Sequence, residues 1–176
     1  MILEYKGDIS TALALQFLAL TALRPGNVRN LKWEYVDFEE DLVLFPSSSM
    51  KMKTDFKLPL TDTLKDIITS MQSFTKEKSE YVFCSTVSFT KPLSENTLNY
   101  ALKRMSITNH VAHGFRSSFS TICYKKQKEH GFSSEIIESQ LAHKIGNSIK
   151  MAYLRSDFFD ERRELLEWWE RFLSNE

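Results

Sequence analysis

The sequence predicts a mainly α-helical domain carrying a small antiparallel β-sheet near its front, an α+β arrangement. Three observations predict it. Apolar residues recur at helical spacing through most of the chain. Two short apolar runs, Leu42–Phe45 and Phe56–Leu60, flank a polar stretch from Ser47 to Asp55, as two strands and their connection would. No internal repeat, low-complexity tract or linker rich in Gly, Pro or Ser divides the chain, so its 176 residues read as a single domain, 1–176.

The elements follow in order. Asp8 or Ser10 caps a first helix to about Leu23, apolar on most faces and therefore central. Arg24-Pro25-Gly26-Asn27 breaks it, and Pro25 suits the first turn of a short helix, Gly26 to Lys32. The two strands come next. Thr61 or Asp62 then caps a helix to about Thr75, and Tyr81–Phe83 reads as a further short strand. The rest is helical: Leu98–Met105, His113 to about Lys128 with an end near Gly131, Ser133 or Ser134 to about Leu141, Ile149–Leu154, and Asp160–Leu173.

Composition bounds the function. Hydrophobic residues make up 42% and charged residues 26%, which is enough apolar material for a core and excludes disorder. No apolar run reaches the roughly 18 residues of a membrane span. The start has no signal-peptide layout, so a cytoplasmic protein with no membrane partner is expected. Cys84 and Cys123 stand alone, without metal-ligand spacing, and read as reduced structural thiols. The formal net charge is zero, against the basic excess usual for nucleic-acid binders. The charge is uneven, however. Seven acids and three arginines lie from Asp157 onward, leaving 20 basic and 16 acidic residues before it, a body of +4 that permits a phosphate-binding face.

The polar residues identify nothing singly, but their order does. Arg24 stands in Thr-Ala-Leu-Arg24-Pro-Gly-Asn-Val-Arg, and Lys51 in the strand connection Met-Lys51-Met-Lys-Thr-Asp-Phe-Lys-Leu-Pro. His113-Gly-Phe-Arg116 starts a helix, Gln-Leu-Ala-His143-Lys ends one, and Tyr153 follows ten residues later. This order resembles the tyrosine recombinase (phage integrase) family, whose catalytic set runs Arg, Lys, His-x-x-Arg, His or Trp, and Tyr. The ending, Asp-Glu-Arg-Arg-Glu-Leu-Leu-Glu-Trp-Trp, is similar to integrases of satellite phages and genomic islands. The resemblance covers about Asp8 to Leu173.

The resemblance implies a site-specific DNA recombinase that cleaves and rejoins DNA through a 3′-phosphotyrosine, with no cofactor and no metal. Tyr153 would be the nucleophile, and Arg24 and Arg116 would hold the nonbridging oxygens. Guanidinium forks suit that task because they stay charged and offer two parallel donors. His113 would be the base and His143 a hydrogen-bond donor to the phosphate. Lys51 would protonate the departing 5′ oxygen, and Lys53, two residues away, is its rival. Lys51 is preferred because it precedes Pro59 by eight residues, the family's spacing. His110 and His130 match no box and read as solvated surface residues.

The implied partners are double-stranded DNA at attachment sites, further protomers in a tetramer on DNA, and accessory directionality or host DNA-bending proteins. Two departures stand out: Asn27 replaces the acid that usually follows the first arginine by three residues, and Phe56 and Lys57 occupy the place of a frequent histidine. The family's N-terminal core-binding and arm-binding domains have no counterpart in this sequence, which reads as a catalytic domain alone. Two alternatives stay open, a catalytically silent DNA-binding module and type IB topoisomerase-like strand passage. The C-terminal helix, with Trp168, Trp169, Phe172 and Leu173, either packs on its own domain or docks on a neighbouring protomer.

Overall fold

Helix α1 (Ile9–Thr21) begins where the Asp8 carboxylate accepts the Thr11 amide at 2.9 Å, and it runs through the middle of the core. Ala14, Leu15, Phe17 and Leu18 are fully buried along it. It ends at Ala22, whose left-handed backbone (φ 52°) sends its N–H back to the Leu18 carbonyl at 3.0 Å. A computed structural model describes residues 5–85, 87–143 and 157–175.

Pro25 then opens α2 (Pro25–Arg29) and forces the residue before it into extended backbone, so Arg24 sits in the link between two helices. This helix is shorter than the expected 26–32 because Asn30 turns the chain toward a 3₁₀ turn at Trp33–Tyr35. Strands β1 (Val36–Asp37), β2 (Leu42–Phe45) and β3 (Phe56–Pro59) form an antiparallel sheet in that order, with Val43 opposite Leu58 and Phe45 opposite Phe56. Val43, Phe45, Phe56 and Leu58 turn inward, while Leu44 and Lys57 turn out. β1 escaped the sequence reading because two residues carry no alternation to detect.

The stretch Tyr81–Phe83 is not a strand. Tyr81 makes one isolated bridge to Lys32, and Val82 donates to Leu31 at 2.8 Å before the partner segment turns away. Helix α3 (Asp62–Met71), capped by the Thr61 hydroxyl, runs into a π turn, Gln72–Lys76. Helix α4 (Thr97–Arg104) packs on α1.

The long helix expected from His113 divides into α5 (Gly114–Lys125) and α6 (Gln127–His130), ended by Gly131 at φ 78°. At the break His130 reaches back: Nε2 donates to the Cys123 carbonyl at 2.8 Å while Nδ1 accepts the Phe132 amide at 3.0 Å. Its ring also packs edge-on against Trp168. His130 is therefore a structural residue and not the solvated one expected. His110 is half-buried: its Nε2 is shielded with no hydrogen-bond partner among the described residues, and its ring packs on Phe115.

Helices α7 (Ser134–Gln140) and α8 (Phe159–Ser174) complete the described fold; the expected helix at 149–154 lies outside the described residues. α8 packs on its own domain, against α1, α7 and β3. Trp169 is 2% exposed, donates its indole N–H to the Ala19 carbonyl at 2.9 Å and meets Phe119 edge-on. No helix among the described residues is long and apolar enough to cross a membrane.

Arg162 anchors α8. It is 1% exposed, lies over the Phe56 ring, and donates to the carbonyls of Asp157 (2.9 Å) and Lys57 (2.8 Å). Burial pulls its guanidinium down to about 10, opposed by the charges of Asp157 and Glu161. Arg162→Ala strips two carbonyls of their donor and leaves a cavity, so a loss of about 3 kcal/mol in urea unfolding is expected. Arg162→Met, which restores volume, should recover part of it. Equal losses in both variants would assign the whole effect to the hydrogen bonds.

Candidate active site

The end of α1 leaves carbonyls without helical partners, and two side chains from distant elements fill them. The Gln140 amide donates to Thr21 O at 2.9 Å, and Arg116 Nη1 donates to Ala22 O at 2.7 Å. Arg116 comes from the first turn of α5 and is 5% exposed. Its Nη2 donates to the Leu141 carbonyl at 2.6 Å and lies 3.1 Å from His143 Nε2. Burial lowers its pKa to about 10, the charge of Arg24 pushes in the same direction, and Glu138 opposes them. Through Ala22, Arg116 meets the chain two residues before Arg24.

His143 owes its position to the way α7 ends. Ala142 adopts left-handed backbone (φ 47°), the Ala142 amide donates to Ser139 O at 2.9 Å, and the His143 amide donates to Glu138 O at 3.0 Å. These two bonds form a Schellman cap, which folds the chain back over the last helical turn. The same fold brings the Glu138 carboxylate to His143 Nδ1 at 2.7 Å. Glu138 Oε1 in turn accepts the Tyr124 hydroxyl at 2.8 Å. Burial, together with Glu138, pushes the Tyr124 phenol up to about 12.

Across from α2 the β2–β3 connection closes one cavity of about 720 Å³, whose lining includes Arg24, Asn27, Met50, Lys51, Lys53 and His113. The connection is anchored at three points. Met50 is buried, Asp55 accepts the Ser47 amide at 2.7 Å, and the Asn27 side-chain amide donates to Ser49 O at 3.2 Å. Asn27 thus grips the lysine-bearing loop with its side chain, while its backbone N–H donates to the Arg24 carbonyl at 2.8 Å. His113 stands at the N-terminal cap of α5, and Gly114 after it packs closely on the His110 ring, which an added Cβ would approach within 2.8 Å.

The residues read from the sequence therefore gather. Arg24, Lys51 and His113 share a cavity, and Arg116 and His143 are in hydrogen-bond contact beside Arg24. Lys53 lines the same cavity as Lys51, so the structure keeps both lysines within the site. Tyr153 lies outside the described residues. Glu138 and Tyr124 were missed. Nothing in the residue types five apart across a helix end signals contact until the left-handed turn at Ala142 is known.

Comparison with known proteins gives the family and the fold. The phage integrase family profile matches residues 2–159. The integrase of Shigella phage Sf6 is 34% identical over 170 residues, which cover 96% of this chain and 43% of that protein. The lambda integrase catalytic core has the same fold, with a TM-score of 0.60 at 18% identity over 81% of this chain and 88% of the other. A lambda integrase tetramer bound to a Holliday junction matches at a TM-score of 0.60 and 18% identity, over 84% of this chain and 44% of that one. The chain spans less than half the length of the Sf6 relative. On its sequence and its fold alike, the chain belongs to the phage integrase family.

Proposed function

We propose that this chain is the catalytic domain of a site-specific recombinase that integrates or excises a mobile element, cleaving and rejoining double-stranded DNA through a 3′-phosphotyrosine at Tyr153. The observation that carries the reading is the convergence of Arg24, Lys51, His113, Arg116 and His143, drawn from 120 positions of chain, onto one cationic region. Cationic donors grouped in this way stabilise the charge that builds on a phosphodiester under attack.

In this reading the Tyr153 oxygen attacks phosphorus, His113 takes the phenolic proton, and the bond from phosphorus to the 5′ oxygen breaks. Lys51 supplies the proton that the departing oxygen needs. Arg24, Arg116 and His143 hold the nonbridging oxygens. The phosphotyrosine keeps the bond energy, so a second 5′ hydroxyl can reverse the step without another energy source. Exchange between two duplexes requires four strand cleavages and therefore four tyrosines, which supports a tetramer on DNA. Accessory directionality and host DNA-bending proteins would then select integration or excision, in the cytoplasm and on the nucleoid.

The test is a nicked suicide substrate carrying the attachment site, incubated with the full-length protein in a chelator and run on a denaturing gel. A covalent protein–DNA band whose linked peptide contains Tyr153 is expected. No band, with attachment-site DNA still bound, would replace this reading with that of a catalytically silent DNA-binding module.

A further inference from the structure

We propose that Glu138 is a positioning residue for His143, locked in place by the Tyr124 hydroxyl, so that His143 Nε2 faces the Arg116 guanidinium before DNA arrives. The proposal rests on the catalytic reading of His143 above. Four side chains form a closed circuit: Tyr124 to Glu138 (2.8 Å), Glu138 to His143 Nδ1 (2.7 Å), and His143 Nε2 to Arg116 Nη2 (3.1 Å). Helix α5 closes it, since it carries both Arg116 and Tyr124.

The chemistry sets the direction of each bond. An ionised carboxylate only accepts, so the proton between Glu138 and His143 sits on Nδ1. In the neutral ring Nε2 is then the acceptor, and it meets an Arg116 N–H. A donor role toward phosphate requires Nε2 to carry a proton too. The carboxylate beside Nδ1 provides the opposite charge that an imidazolium needs, as the acid behind a catalytic histidine does elsewhere.

The backbone shows that the contact belongs to the fold. Glu138 holds His143 twice, through its carbonyl to the amide and through its carboxylate to the ring. Tyr124 occupies the second carboxylate oxygen, which keeps Glu138 from turning away to solvent. Its phenol, pushed up to about 12, stays protonated and remains a donor throughout the working range.

The test combines kinetics with spectroscopy on the full-length protein. Glu138→Gln keeps the shape and an acceptor for Tyr124. It should slow covalent complex formation in a single turnover by about ten- to a hundredfold, with DNA affinity and melting temperature unchanged. In a His143→Ala background the same substitution should add no further loss, because its effect passes through the ring. Nitrogen-15 spectra of labelled histidine should show the His143 proton on Nδ1 in the parent and redistributed in Glu138→Gln. Tyr124→Phe should cost about fivefold.

Equal losses from Glu138→Gln with and without His143, or an unchanged His143 spectrum, would overturn the proposal. A parental cleavage rate in His143→Ala would instead reject the catalytic reading of His143, while the spectra would still judge the Glu138 contact.

Discussion

Replacing Arg116 by lysine is expected to slow strand cleavage by about a thousandfold, the scale seen when one fixed donor to a developing oxyanion is lost. The fork at this position serves two purposes at once. It spans the carbonyls of Ala22 and Leu141, which lie on elements 119 residues apart in the chain, and it offers a fixed positive charge beside Arg24. A lysine lacks the planar fork whose two nitrogens each meet one carbonyl, and a carbonyl left without its donor costs about 1–3 kcal/mol.

The charge itself is also at stake. Burial and Arg24 already bring the guanidinium down to about 10. A lysine starts lower, near 10.4, and the same burial would push it further down. The protonated form is the one that binds phosphate, so residual activity in Arg116→Lys should fall as the pH rises above neutrality. The parent should keep its arginine charge across the same range. Single-turnover cleavage from pH 6.5 to 9, with melting curves for each protein, separates the two effects. A lysine variant within threefold of the parent would reduce Arg116 to a helix-end clamp.

Lys51→Ala is expected to reduce cleavage by about a hundredfold to ten-thousandfold, the range for removal of a positioned general acid. The loss should largely disappear when sulfur replaces the departing 5′ oxygen. A thiolate leaves without a proton because thiols titrate near 8.5. Lys53→Ala should cost little on either substrate. Both lysines line the cavity, but Lys53 sits in left-handed backbone at φ 55°, past the point where Asn27 and buried Met50 hold the loop. Lys51 directly follows Met50 and inherits its position. Rescue of Lys53→Ala in place of Lys51→Ala would exchange their roles.

Fold class and most elements were legible because their signals are local. Asp8 and Thr61 cap helices through bonds to amides three residues on, and Pro25 constrains the residue before it. The expected strand at Tyr81–Phe83 failed for the opposite reason. Its apolar run is correct, but a strand also needs a continuous partner, and Leu31–Trp33 turns away after one bridge. His110 and His130 were misplaced because burial depends on neighbours such as Phe115 and Trp168, which the local pattern does not reveal.

The sequence by itself determined which residue types the site can draw on, and their order along the chain carried the resemblance to the phage integrase family. Only the tertiary structure decided how those groups are held. The left-handed turns at Ala22 and Ala142 aim a carbonyl at Arg116 and fold Glu138 onto His143, and Asn27 proved to grip the lysine loop. Residue identity travels along the chain, whereas a hydrogen bond between Arg116 and Ala22 exists only once 94 residues of intervening chain have packed.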